Sequence, residues 1–333
     1  MKCIYSFWSK PFLANIKPNF PVQAGVTTGV HSYAGFSCFE DFLNSWVLSV
    51  ELSSTHYQEV ELITDTYGKV LLAERLQLPF TSINTALDHV PDHVSARHWS
   101  LSKIVAYSLQ NDPFVHVDAD VYLWKRLPNR LENAPVFGQN TDSQIWLNFH
   151  YTEPYFLMYK FLKVLPQNFT YVPRTFHTWD TAICCGIVGG QAWQLIKDVA
   201  TMGVKIFSCQ ENAYGWEVAL SFDLLWGDRM PSYGYISVVE QYGIAKECWL
   251  RGIWHEVELL LDEEKISTDM QYLKRKCAEL GYTHLIDSTK KHTDIMARLK
   301  RRIATTYPHY VPLIAELVQE EKSHRTRSIG SAS

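Results

Sequence analysis

The chain has 333 residues, 47% of them hydrophobic and 20% charged, enough to bury a sizeable core in one large domain or two intimate ones. A net charge of −4 and a pI near 6.3 exclude the basic face that nucleic-acid binders carry. The seven cysteines, at 3, 38, 184, 185, 209, 248 and 277, are odd in number, scattered and without C-x-x-C spacing, which favours reduced thiols over a disulfide framework or a zinc site. No apolar run approaches about eighteen residues, so no transmembrane segment is expected. Met1-Lys2-Cys3-Ile4-Tyr5 enters a strand-like segment without an apolar signal core, and the expected location is the cytoplasm.

Cys3 to Trp8 reads as the first strand. From Phe39, the residues Phe39, Phe42, Leu43, Trp46, Val47 and Val50 keep the i, i+3, i+4 spacing of an amphipathic helix. Glu59 to Thr64 is a second strand, Val70 to Leu76 a short helix and Thr81 to Ala86 a third strand, with a helix over Leu101 to Leu109 leading into the apolar run Pro113 to Val117. Strand-helix-strand alternation implies an α/β fold with a mostly parallel sheet, right-handed crossovers and helices on the faces. In the second half, Tyr155 to Leu165 reads as helix, Thr181 to Val188 as strand, and Trp193 to Met202 and Glu217 to Trp226 as helices; Asp294 to Thr305 is a basic amphipathic helix. No Gly/Ser-rich linker interrupts the chain. One continuous domain is expected, with a donor half over residues 1–138, an acceptor half over 139–325 and a disordered tail over 326–333.

Asp118-Ala119-Asp120 ends the apolar run and is the most informative tripeptide in the chain. Residues two apart in a strand point to the same side, so both carboxylates are expected to converge on one hard cation beyond the strand's end. Mg²⁺ or Mn²⁺ held by one or two carboxylates keeps open positions that substrate phosphates usually fill. The chemistry indicated is transfer from a diphosphate-linked donor, with Asp120 as direct ligand and Asp118 sharing the ion or holding a ribose. Asp65, at the end of the second strand, is placed to accept from a base N–H, and Lys103 to reach a donor phosphate from its helix.

Several segments together resemble the GT-A glycosyltransferases, enzymes that use nucleotide sugars. These are Glu61 to Gly68, Ser102 to Tyr107, Phe114 to Leu127 with its D-x-D, the small-residue segment Thr181 to Gly190, and Tyr282-Thr283-His284-Leu285 followed by Lys290. The resemblance spans roughly residues 1 to 292. It implies a GT-A, Rossmann-like fold, with base and ribose near Tyr5, Ser6, Phe7 and Trp8. It also implies His284 as a third metal ligand, which favours Mn²⁺ because Mg²⁺ prefers all-oxygen coordination, and Lys290 as a cation for the pyrophosphate.

The activity implied is transfer of a sugar from a nucleoside-diphosphate donor to a carbohydrate, peptide or small-molecule acceptor. An inverting enzyme needs a carboxylate to take the acceptor's proton; Glu240, after the apolar run Tyr235 to Val239, and Asp180, before the Gly186 to Gly190 turn, are the candidates. A retaining enzyme dispenses with a conventional base, and the stereochemistry stays open. Each residue also has a plain structural reading: aromatic residues pack cores, carboxylates cap turns, and lysines sit in water. A nucleotidyltransferase and a non-catalytic nucleotide- or sugar-binding module are the other functions compatible with the pattern, although no G-x-G-x-x-G or G-x-x-x-x-G-K-[ST] loop is present.

Overall fold

A computed structural model describes residues 1–16, 32–142, 151, 153–166, 182–226 and 233–330. The run Lys2–Phe7, which carries Ile4, Tyr5 and Phe7, forms β1, an interior strand of a seven-stranded sheet. On one side of it lie β2 (Val60–Thr64) and β3 (Ser82–Asn84), both parallel to β1. On the other lies β4 (Phe114–Val117), also parallel.

After a two-stranded excursion through β5 (Val121–Leu123), the chain adds β6 (Phe137–Gly138) to the main sheet. A small ladder pairs β7 (Thr141–Asp142) with β8 (Ala182–Ile183). β9 (Ile187–Gly190) then runs antiparallel between β4 and β6, and β10 (Glu258–Leu259) closes the edge parallel to β6. The order β10-β6-β9-β4-β1-β2-β3 draws strands from both sides of residue 138, so one sheet spans the two expected halves. The fold is α/β, with a mostly parallel mixed sheet flanked by helices.

Alternation along β1 divides the core. Cys3, Tyr5 and Phe7 join the layer under the helices Phe39–His56, Thr293–Thr306 and Tyr310–Gly330, whereas Ile4 and Trp8 join the layer under Leu101–Ser108 and Trp193–Ser208. Tyr5 is fully buried, and its hydroxyl is bonded to the Ser49 carbonyl and to the hydroxyls of Ser49 and Ser53 within 2.9 Å. Among the described residues no helix is long and apolar enough to cross a membrane.

Three local expectations differ from the structure, and one apolar run for which no element was expected proves helical. The strand expected over Thr181 to Val188 is interrupted: within the described residues, Ala182–Ile183 and Ile187–Gly190 are separate strands joined by a turn, because the chain around Gly186 leaves one ladder to enter another. Tyr235 to Val239 is helical, part of Tyr233–Ser237 and a π-helical turn Val238–Tyr242. Val70 to Leu76 corresponds to another π-helical turn, Lys69–Arg75. The last helix continues to Gly330, into the stretch expected to be a tail.

From β1 the chain proceeds to β2 and β3 on one side and then crosses to β4 on the other. In open α/β sheets such a reversal opens a crevice beyond the strands' carboxyl ends, which is where ligands bind. Asp118 follows β4 at that end.

The Tyr5 contacts generate a prediction. Tyr5→Phe removes the buried bonds to Ser49 and Ser53 and should cost roughly 1–3 kcal/mol of stability. Urea unfolding checks this, and wild-type stability in the variant would contradict the role given to the buried hydroxyl.

Candidate metal centre

Asp118 and Asp120 converge through a turn, not through strand alternation, because β4 ends at Val117 and β5 begins at Val121. The backbone of the tripeptide is clamped on both sides. Asp118 N–H donates to the Gly186 carbonyl at 3.0 Å, Val121 N–H to the Asp118 carbonyl at 2.9 Å, and Leu285 N–H to the Asp120 carbonyl at 2.9 Å. The last bond exists because β11 (Tyr282–His284) pairs antiparallel with β5, placing His284 opposite Val121. One ligand atom from each of Asp118, Asp120 and His284 lies within 4.8 Å of the others.

A chain of hydrogen bonds fixes which nitrogen of His284 faces the carboxylates. Asn140 Nδ2 donates to the Thr141 carbonyl at 2.7 Å, so its Oδ1 accepts from Gln139 Nε2 at 2.9 Å. Gln139 Oε1 is thereby an acceptor, taking the Tyr282 hydroxyl at 2.5 Å and His284 Nδ1 at 2.6 Å. With Nδ1 engaged as the donor to Gln139, His284 directs Nε2 toward Asp120 Oδ1, 3.5 Å away. Asp120 Oδ1 is buried and has no hydrogen-bond partner. A ring nitrogen held this close to a carboxylate oxygen calls for a positive charge, either a second proton on Nε2 or a cation in its place. Gly186 leaves the room for this ring, since a Cβ there would lie 2.5 Å from His284 Cε1.

Two lysines complete the charge balance. Lys103 Nζ donates to Asp118 Oδ2 at 2.7 Å and to the Cys185 carbonyl at 3.1 Å, and Lys290 Nζ reaches Asp120 Oδ2 at 2.5 Å. Burial disfavours the Lys103 ammonium, but Asp118 and Glu240 outweigh it and hold the lysine charged. The aspartates respond in opposite directions. Burial, reinforced by Asp120, pushes the Asp118 carboxyl up against the pull of Lys103, while at Asp120 burial is overcome by Lys290 and His284, which hold it well below the usual carboxylate range.

The other expected residues are distributed around this cluster. Ser6 Oγ bonds His116 Nε2 at 3.1 Å, and His116 Nδ1 lies 3.8 Å from Asp118 Oδ1; burial and Lys103 keep His116 neutral. The structure does not bring Tyr5, Phe7 or Asp65 to the cluster. Phe7 packs among Phe12, Phe42 and Trp46. Trp8 is buried with Lys10 over its ring. Asp65 spends one oxygen on Ser9 N–H and Oγ, at 2.8 and 2.6 Å, and the other on Gly68 N–H at 2.8 Å.

Glu240 is 2% exposed and accepts at 2.6 Å from the hydroxyl of Tyr107, which stands one helical turn beyond Lys103. Burial raises its carboxyl from 4.5 to about 7. Asp180 lies outside the described residues. The sequence reading missed His116, Gln139 and Tyr282. A period-2 signal does mark His116 and Tyr282, each two residues before a site residue, but nothing local distinguishes Gln139.

The Glu240 environment implies a pH dependence. Its folded value lies above its unfolded one, so its contribution to stability is complete below about 4.5 and is lost as the pH rises through about 7. Glu240→Gln keeps the neutral form at every pH. Its stability relative to wild type should rise by roughly 2–3 kcal/mol between about pH 5 and pH 8; urea unfolding curves that stay parallel across that range would contradict the burial argument.

Comparison with known proteins places the chain in a family without assigning a reaction. No curated protein matches it. A sequence family described as "Family of unknown function (DUF6734)" matches residues 1–317, a span that includes all the described strands and every residue of the Asp118, Asp120, His284 and Lys290 cluster. The chain therefore belongs to the DUF6734 family of unknown function.

Proposed function

We propose that this protein is a cytoplasmic, metal-dependent glycosyltransferase of GT-A type, transferring a sugar from a nucleoside-diphosphate donor to an acceptor hydroxyl or amine. The observation that carries the reading is the pairing of the partnerless Asp120 Oδ1 with the oriented Nε2 of His284, beside Asp118, beyond the end of β4. The donor set fits a divalent cation: carboxylate oxygens suit Mg²⁺ and Mn²⁺, and the imidazole tilts the choice to Mn²⁺. When bound there, the ion would neutralise charge developing on the leaving diphosphate.

The chain's own residues supply the rest. Gln139 orients His284, a partner of the kind that tunes metal affinity. Lys103 anchors Asp118, and Lys290 stands where a phosphate bridging to the same centre would come within reach. The crevice at the β1/β4 reversal supplies a place for the nucleotide. Glu240, bonded to Tyr107 and sealed from solvent, supports Lys103 electrostatically and is poorly placed to deprotonate an acceptor, which leaves Asp180 as the candidate base.

Incubation with a panel of nucleotide sugars and Mn²⁺ tests the assignment. Slow hydrolysis of one donor is expected, abolished in Asp120→Asn without loss of the fold; wild-type turnover by that variant would defeat the reading. Release of diphosphate from a nucleoside triphosphate would mark a nucleotidyltransferase, and binding without turnover a non-catalytic module. Gln139→Leu should weaken Mn²⁺ binding by about 10- to 100-fold, the scale for loss of a partner that orients a metal ligand. Unchanged Mn²⁺ affinity in that variant would remove His284 from the ligand set.

A further inference from the structure

Lys290 occupies a dock built by a segment more than two hundred residues away, as the 256-residue separation from Ala34 shows. Tyr33, Ala34 and Gly35 all have positive φ, at 63°, 52° and 94°. For the first two this is an unfavourable left-handed backbone, adopted only where surrounding contacts enforce it. Those contacts are present: the Tyr33 ring stacks on Phe39 at 5.7 Å, and its hydroxyl donates to Glu321 at 2.6 Å. The result of the bend is that the Ala34 carbonyl accepts from Lys290 Nζ at 3.0 Å while the ammonium lies 5.4 Å from the centre of the Phe36 ring. At Gly35 a Cβ would stand 3.2 Å from Lys290 Cδ, so the absence of a side chain leaves the lysine its track.

The same ammonium sits 2.5 Å from Asp120 Oδ2. We propose that the Tyr33 to Phe36 turn is a positioning element that parks Lys290 on Asp120, so that the lysine and a divalent cation compete for that carboxylate. The parked lysine neutralises Asp120 while no cation is bound. On cation binding it is released at the spot where a donor phosphate arrives, which couples loading of the metal to presentation of the phosphate-binding charge. The inference rests on the metal reading above and adds the order in which the charges exchange.

The test is titration of Mn²⁺ alone into wild type, Lys290→Met, Lys291→Met and Gly35→Ala, each at a temperature where it is folded. Lys290→Met should bind Mn²⁺ roughly tenfold more tightly, the scale for removing a unit charge beside a partly buried carboxylate. Lys291→Met, which removes the same charge from an exposed neighbour, should change affinity by less than about twofold, because exposed charges are screened. Gly35→Ala keeps the lysine's charge while crowding its track and straining the turn at φ 94°, and should also bind Mn²⁺ more tightly; it carries the test if Lys290→Met does not fold. At saturating Mn²⁺ the sign reverses, and Lys290→Met should bind a nucleoside diphosphate less tightly than wild type. Mn²⁺ affinity in Lys290→Met equal to or below wild type, or an equal gain in Lys291→Met, overturns the parking arrangement while leaving the metal site standing. Failure of every protein in the series to bind Mn²⁺ overturns the metal reading itself, and this inference with it.

Discussion

Two carboxylates brought together at the end of a buried strand set the terms for everything around them. The Asp118 and Asp120 side chains are 23% and 11% exposed, so each has lost much of its hydration and each repels the other. Such a pair persists only with a proton, a cationic side chain or a metal ion at hand. The chain brings cationic side chains from opposite ends of the sequence, Lys103 from the helix that precedes β4 and Lys290 from the turn that follows β11. The contrast between a raised Asp118 and a depressed Asp120 follows from this arrangement. Lys103 divides its influence between Asp118 and the buried Glu240, whereas Lys290 and His284 both act on Asp120.

The Asp120 side of the site depends on register. Tyr282 faces Leu123 and His284 faces Val121 across the β5/β11 ladder. A slip of one residue would send both side chains to the opposite face and separate them from Gln139. That glutamine is held independently, because its N–H donates to the Cys184 carbonyl while Cys184 N–H donates to the Asn140 carbonyl. Four stretches of chain thus meet: the turn after β4, the end of β6, the turn before β9, and β11. This convergence explains why a change at Gly186, which carries no polar side chain, would disturb His284 directly.

The layered α/β plan was legible because hydrophobic period survives tertiary context. The Phe39 helix, the strands at 2–7 and 60–64, and the buried run before Asp118 all follow their expected spans closely. The D-x-D was legible as a cluster even though its geometry is a turn, since a strand end and a tight turn both bring residues i and i+2 near one another. Which face of β1 points where was less so. Tyr5 and Phe7 alternate with Ser6, and composition does not say which face of a central strand looks to the crevice; the Phe39 helix claims the aromatic face. At Asp65 the structure shows a cap, with bonds from Ser9 and Gly68, and a carboxylate that caps a turn and one that meets a ligand have the same local sequence. Gln139 was invisible, as its role depends on a hydrogen-bond chain through Asn140 and Thr141 that no spacing encodes.

A purely structural ion-pair network is the serious competitor for this cluster, and the details weigh against it. Buried ion pairs contribute little net stability, and apolar packing of the same volume often does better. A network selected only to hold the fold should therefore at least satisfy its members. Here Asp120 Oδ1 is left without a hydrogen-bond partner, a histidine is oriented so that Nε2 faces that oxygen, and a left-handed turn at Tyr33 and Ala34 brings a backbone carbonyl to the lysine that pairs with Asp120. Each feature costs free energy in the isolated chain. Their concentration around one pair of carboxylates, beyond the strand ends at the reversal of the sheet, is the ground on which the proposed exchange of one positive charge for another rests.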